Sequence, residues 1–104
     1  MEVCEEMKKL REALDDMKIP WEDHSEEYDS DFPIWFCRTW FHCEGKLYSV
    51  INGFATYGGW FGINPGIEEK DNLGLLELMS PESDGPIGFL TAEEIIKKIK
   101  EKMK

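Results

Sequence analysis

The chain has 104 residues, 41% of them hydrophobic and 12% aromatic, with four tryptophans and a formal charge of −10. That length suits one domain with a modest core, and the composition excludes a disordered chain. No apolar run approaches the ~20 residues a bilayer span needs, and the acidic excess disfavours binding to nucleic-acid backbones.

Residues 2–18 predict an amphipathic helix, because Val3, Met7, Leu10, Leu14 and Met17 recur at three- and four-residue steps between charges. Pro20 ends it and biases Ile19 towards extended geometry, so a short edge strand is expected over 19–23. The run EDHSEEYDSD, residues 22–31, reads as a solvated acidic loop. Its carboxylates lack the spacing and the central glycine of an EF-hand. IWFCRTWFHC, residues 34–43, and residues 46–55 form the two strands of a β-hairpin about Glu44-Gly45. Leu75 to Met79 is a further strand and Pro81 to Gly88 a loop. Thr91 then opens a C-terminal helix with the capping box T-A-E-E, a buried stripe of Ile95, Ile96, Ile99 and Met103, and a lysine-rich end that complements the helix dipole. We therefore expect one α+β domain over residues 1–104. It has an N-terminal helix, an antiparallel meander of three to four strands and a C-terminal helix, with the helices mainly on one face of the sheet.

The charge is uneven. Residues 1–18 hold six acids and four bases, residues 19–90 thirteen acids against Arg38, Lys46 and Lys70, and residues 91–104 three acids and five bases. The body of the domain is thus acidic, which suits a basic partner surface or simple solubility. The N-terminal MEVCEEMKKL is too polar for a signal peptide. Cys4, Cys37 and Cys43 are an odd set without framework spacing, as in a protein with free, buried thiols. Both features point to a cytoplasmic protein.

YSVINGFATYGGWFGINPG, residues 48–66, sets five glycines among five aromatics. Glycine lets a backbone approach something closely, and aromatics supply rigid contact area. A three-residue connection, Glu44 to Lys46, pairs Cys43 with Leu47. It puts Trp35, Cys37, Thr39, Phe41, Leu47, Ile51 and Ala55 on the face beneath the helices. Phe36, Arg38, Trp40, His42, Tyr48, Val50, Asn52 and Phe54 then lie on the opposite face. A two-residue turn shifts that register and mixes the sets. The second set combines aromatics with arginine, as contact surfaces do. Alternatively, residues 56–74 fold back over it with Trp60, Phe61 and Ile63 as plugs, or a second copy covers it.

Other chemistries find little support. His42 and Cys43 are strand neighbours that point to opposite faces, so they make a poor nucleophile and base. The cysteines and histidines lack zinc spacing. Glu77 in LLELM reads as an outward strand residue, and the glycines match no Walker or dinucleotide pattern. Arg38 suits a bidentate contact with phosphate or carboxylate, or an internal pair with one of the many acids.

The segments WFCRTWF, YSVINGFATYGG and LLELM, within a stretch from IPWED to FLTAEEIIKKI, resemble small uncharacterised acidic proteins encoded by bacterial phages and prophages. The resemblance implies an accessory protein that blocks host defence without catalysis. It implies no cofactor.

Two functions follow as expectations, neither enzymatic. In the first, a homo-oligomer sequesters a small nucleotide-like ligand, an immune second messenger, in an aromatic and glycine-rich pocket. Trp40, Tyr48, Tyr57 and Trp60 stack on the base, Arg38 meets phosphate, Asn52 reads a base edge or ribose, and the Gly58-Gly59 backbone closes over the ligand. In the second, an acidic inhibitor binds a host defence nuclease or another basic-surfaced protein, with residues 22–31 and the scattered carboxylates steering the encounter. Neither reading needs a metal, a cofactor, a membrane or direct contact with nucleic acid.

Overall fold

A computed structural model describes residues 3–28, 34–60 and 69–103. In chain order the elements are α1 (Glu5–Asp16), β1 (Trp21–Asp23), β2 (Glu26–Tyr28), β3 (Ile34–Cys43), β4 (Lys46–Gly53), β5 (Leu76–Met79), β6 (Ile87–Leu90) and α2 (Ala92–Lys102). The expected α+β class and helix–sheet–helix order are present. The antiparallel sheet has six strands rather than three or four, in the order β1-β3-β4-β5-β6, with β2 also paired to β3.

The two additional strands come from segments that read as loops. β1 is the edge strand expected over 19–23, with Trp21 to Asp23 opposite Phe41 to Thr39, while the middle of the acidic run adds β2, with Glu26 to Tyr28 opposite Phe36 to Ile34. Their side chains reach solvent at the sheet edge, where charge is tolerated and blunts further pairing. Asp29 and Asp31, from the same run, lie outside the described residues. The end of the expected 81–88 loop becomes β6, which pairs with β5 through a register irregularity.

α1 covers the inner face of the sheet with Met7, Leu10 and Leu14, all fully buried. From the same helix, Arg11 reaches down to the sheet. Its Nε donates to Thr39 Oγ1 at 2.8 Å, its Nη2 donates to Asp23 Oδ1 at 3.1 Å, and its guanidinium lies 4.6 Å from the Trp21 ring. The Thr39 hydroxyl in turn donates to Met7 Sδ at 3.2 Å. α2 packs beside α1 and buries Ala92, Ile95 and Ile99. Its capping box is complete, with Thr91 Oγ1 accepting from the Glu94 amide and Glu94 reaching back to the Thr91 amide. Lys102 at the end of α2 and Lys46 at the start of β4 both pair with Glu82.

The hairpin corrects the expected register. Cys43 pairs with Lys46, not Leu47, around a two-residue turn in which both Glu44 (φ 54°) and Gly45 (φ 76°) lie in the left-handed region. That is the twist a two-residue hairpin loop favours. Each partner shifts by one, so Phe41 faces Tyr48, Thr39 faces Val50 and Cys37 faces Asn52. Directly opposed residues share a face. Tyr48, Val50 and Asn52 therefore point inward beneath the helices, and Leu47 and Ile51 point outward, the reverse of the expectation. Within β3 the alternation is as expected: Trp35, Cys37, Thr39, Phe41 and Cys43 are buried, and the intervening side chains are half-buried or exposed.

Candidate functional site

Register places the eight candidate ligand-binding residues in three locations. Arg38 and Trp40 are on the outer face of β3. Tyr48 and Asn52 are on the inner face of β4, and both are buried, Tyr48 stacked on Phe41 at 5.3 Å between centroids. Burial pushes the Tyr48 hydroxyl above its ordinary pKa, an effect reinforced by Cys43 and Glu44. Tyr57, Gly58, Gly59 and Trp60 lie in the turn that follows β4.

That turn closes on its own chain. The Trp60 amide donates to the Gly53 carbonyl and the Ala55 amide to the Trp60 carbonyl. Thr56 Oγ1 accepts from the Gly53 amide at 3.0 Å and donates to the Gly53 carbonyl at 2.9 Å. A Cβ on Gly59 would run into the Gly53 carbonyl oxygen, and one on Gly53 would meet Phe36 Cα at 2.5 Å. The close approach that these glycines permit is therefore to neighbouring backbone. Trp60 is buried against Trp35, with ring centroids 4.9 Å apart, and against Phe54. It plugs the end of the core, while Phe61 and Ile63 lie outside the described residues.

Asn52 is the clasp of this region. Its Nδ2 donates to the Leu75 carbonyl at 2.8 Å and to Asn72 Oδ1 at 3.0 Å, and its Oδ1 accepts from Asn72 Nδ2 at 2.8 Å. With no exposure and a full set of partners, its amide is committed to joining β4 to the chain that leads into β5.

The outer face is different in kind. Its rows across the strands are Glu22–Trp40–Ser49–Met79 and Arg38–Ile51–Glu77, with Phe36 at one end and His42 and Leu47 at the other. The Arg38 guanidinium lies 4.9 Å from the Phe36 ring and 5.7 Å from Trp40, with Nε donating to the His24 carbonyl and Nη2 paired with Glu26. Arg38 thus makes the internal pair that was the alternative to a ligand contact, and keeps its place between two rings. His24 stacks on Trp40, with centroids 3.8 Å apart, and its Nε2 is 2.8 Å from Glu22 Oε2. Trp40 Nε1 is buried and has no hydrogen-bond partner among the described residues. Glu77 faces outward as read from the sequence, and accepts from the Tyr57 amide.

Leu47 and Met79 on this face are 40% and 49% exposed, and Tyr57 and Phe89 extend the apolar surface towards β6 at 49% and 55%. No described helix covers it, since both helices occupy the inner side. Sequence reasoning found Arg38 and Trp40 but missed His24, Ile51 and Met79. Only strand pairing places these three beside Trp40.

An open groove of about 870 Å³ runs between α1 and α2, lined by Lys9, Lys97 and Lys100 together with Glu6, Glu93 and Glu101. None of the eight candidates borders it. Among the described residues no group of three or more histidine, cysteine or acidic side chains is placed to hold a metal, and no helix is long and apolar enough to cross a membrane. Compared with protein-family models, with curated proteins and with solved structures, the chain matches none.

Proposed function

We propose that this protein is a nonenzymatic binding module whose outer sheet face docks a basic protein surface. One observation carries the reading: Trp40, Phe36, Ile51 and Met79 share a face uncovered by either helix, and Glu22, Glu26 and Glu77 stand among them. Arg38 illustrates the chemistry the face offers, a guanidinium held between two rings and backed by a carboxylate. Flat aromatic area beside acid groups suits arginine and lysine side chains of a partner. The charge of −10 steers such an encounter and makes it sensitive to salt. An acidic inhibitor of a host enzyme, the class implied by the resemblance to phage proteins, would work in this way.

A small anionic ligand is the second reading. It keeps the adjacent Arg38 guanidinium and Trp40 ring, whose buried N–H has no acceptor among the described residues. It loses Tyr48 and Asn52, which face the core.

The test titrates an arginine- and lysine-rich peptide, and separately cyclic and linear nucleotides, against tryptophan fluorescence and thermal shift. Two double variants change the net charge equally: Glu22→Gln with Glu77→Gln on the outer face, and Glu93→Gln with Glu101→Gln on α2. Peptide binding weakened by the first pair and by Trp40→Ala, and untouched by the second, supports the docking face. Equal weakening by both pairs reduces the effect to bulk charge and sinks the proposal. A nucleotide-induced shift that disappears in Arg38→Ala transfers the function to the small ligand.

A further inference from the structure

β6 runs out of step with β5. Leu76 lies opposite Leu90 and Leu78 opposite Ile87, so two residues, Gly88 and Phe89, oppose the single residue Glu77. Such a β-bulge re-aims the side chain it carries. Here that side chain is Phe89, whose φ of 57° lies in the left-handed region that glycine adopts freely and a phenylalanine adopts only under strain. More than half of the residue is exposed, so burial does little to offset the strain. Backbone strain of this kind collects where a side chain has to be held in one place for recognition.

The Phe89 ring is one wall of a small cleft. The ring of Tyr57, itself about half exposed, is 6.4 Å away between centroids and tilted by 41°. Backbone bonds hold the two rings together. The Phe89 amide donates to the Tyr57 carbonyl at 3.1 Å, and the Leu75 amide to the Gly58 carbonyl at 3.0 Å. Gly88 permits the approach, because a Cβ there would sit 2.2 Å from Tyr57 Cβ. The third member is Glu77, whose Oε1 accepts from the Tyr57 amide at 3.2 Å. That bond leaves Oε2 open, and no lysine or arginine among the described residues pairs with this carboxylate.

We propose that Tyr57, Glu77 and Phe89 form a recognition cleft for a lysine side chain of the basic partner. The inference rests on the docking reading above and names the residue type that this end of the outer face selects. Two aromatic rings attract an ammonium group through their faces, and the carboxylate supplies the counter-charge. Glu77 offers one uncommitted oxygen. A point charge needs no more, whereas the guanidinium fork of arginine binds best when both oxygens are free to take its parallel bonds. At their separation the two rings nearly touch, so the ammonium docks on the open side of the pair and not between them. The bulge and the backbone bonds fix both rings before the partner arrives, which lowers the ordering cost of the complex.

The experiment titrates a lysine-only peptide and an arginine-only peptide of equal length and charge against the full chain, with dissociation constants and ring resonances as readouts. Phe89→Gly is the decisive variant, since glycine relieves the left-handed strain while the ring is lost. Its melting temperature is expected to hold or rise, and its affinity for the lysine peptide to fall about fivefold or more. Glu77→Gln keeps an acceptor for the Tyr57 amide and removes the charge. It is expected to weaken the lysine peptide more than the arginine peptide, while Glu93→Gln on α2 changes neither. Lysine-peptide binding at full affinity in both Phe89→Gly and Glu77→Gln overturns the cleft; if Trp40→Ala still weakens that binding, the docking face itself stands. A marked fall in the melting temperature of Phe89→Gly makes Phe89 a packing residue and likewise overturns the cleft. Equal losses for the two peptides overturn the choice of lysine. If the unmutated protein binds neither peptide, the docking reading fails and the cleft falls with it.

Discussion

The two faces of the β3–β4 hairpin carry similar numbers of aromatic side chains and use them differently. On the inner face Trp35, Phe41 and Tyr48 are closed over by α1 and α2, and the polar groups among them, Thr39 and Asn52, are fully bonded. On the outer face Phe36 and Trp40 are only half-buried. Their cover is a histidine and an arginine, and one indole N–H is left without a partner among the described residues. An interior that satisfies every polar group contributes to stability. A face that keeps aromatics and carboxylates in reach of solvent, around a buried donor with no partner among the described residues, has the composition of a contact surface. Aromatic content alone therefore does not mark a site. The difference lies in how completely the polar atoms beside the rings are satisfied.

The sharpest way to break this comparison is to exchange the expected outcomes of one substitution on each face. Asn52→Ala removes the buried amide that serves the Leu75 carbonyl and Asn72. It should cost about 3 kcal/mol of stability in urea unfolding, since each stranded buried polar group costs about 1–3 kcal/mol. Trp40→Ala should weaken binding of the basic peptide by about tenfold or more, as the loss of a central aromatic anchor does, and leave cooperative unfolding in place. If Asn52→Ala abolished binding in a fully folded protein, or Trp40→Ala unfolded the domain, the assignment of roles to faces would be reversed.

A smaller effect tests whether the inner side depends on local signals as well as packing. Thr91→Ala deletes the hydroxyl that accepts from the Glu94 amide and should cost about 1 kcal/mol. It should leave peptide binding unchanged, because α2 lies on the other side of the sheet.

The smallest effect is electrostatic. The Ser25 hydroxyl, and after it the Ser25 amide and Arg11, hold the Asp23 carboxyl below its ordinary pKa of 3.8 despite some desolvation. A carboxylate lowered by folding contributes stability above its unfolded pKa, and the contribution is lost as pH falls through the folded value. The stability added by Asp23 should therefore fade only on the acid side of 3.8. Ser25→Ala should move the Asp23 midpoint upward in an NMR titration. A midpoint that stays put would mean that Arg11, and not the turn at Ser25, sets the charge at this edge.

Hydrophobic periodicity was enough to determine both helices, the Thr91 cap, the two hairpin strands and which residues of β3 share a face. Each of these depends on repeats within one segment or on a single turn of helix, so neighbouring residues carry the information. The pairing of β3 with β4 is different. Alternation defines two sets on each strand but not which sets coincide, and that choice turned on whether the connection held two residues or three. Glu44-Gly45 forms the two-residue turn although glutamate is not the asparagine or aspartate that usually announces one. One residue of register moved Tyr48 and Asn52 into the core and brought Ile51 beside Arg38. The edge strand β2 was equally hidden, because an acidic run becomes strand only when β3 offers it an open ladder. Local periodicity thus determined the elements of this protein. Strand pairing, a contact between distant residues, decided which side chains the outer face presents.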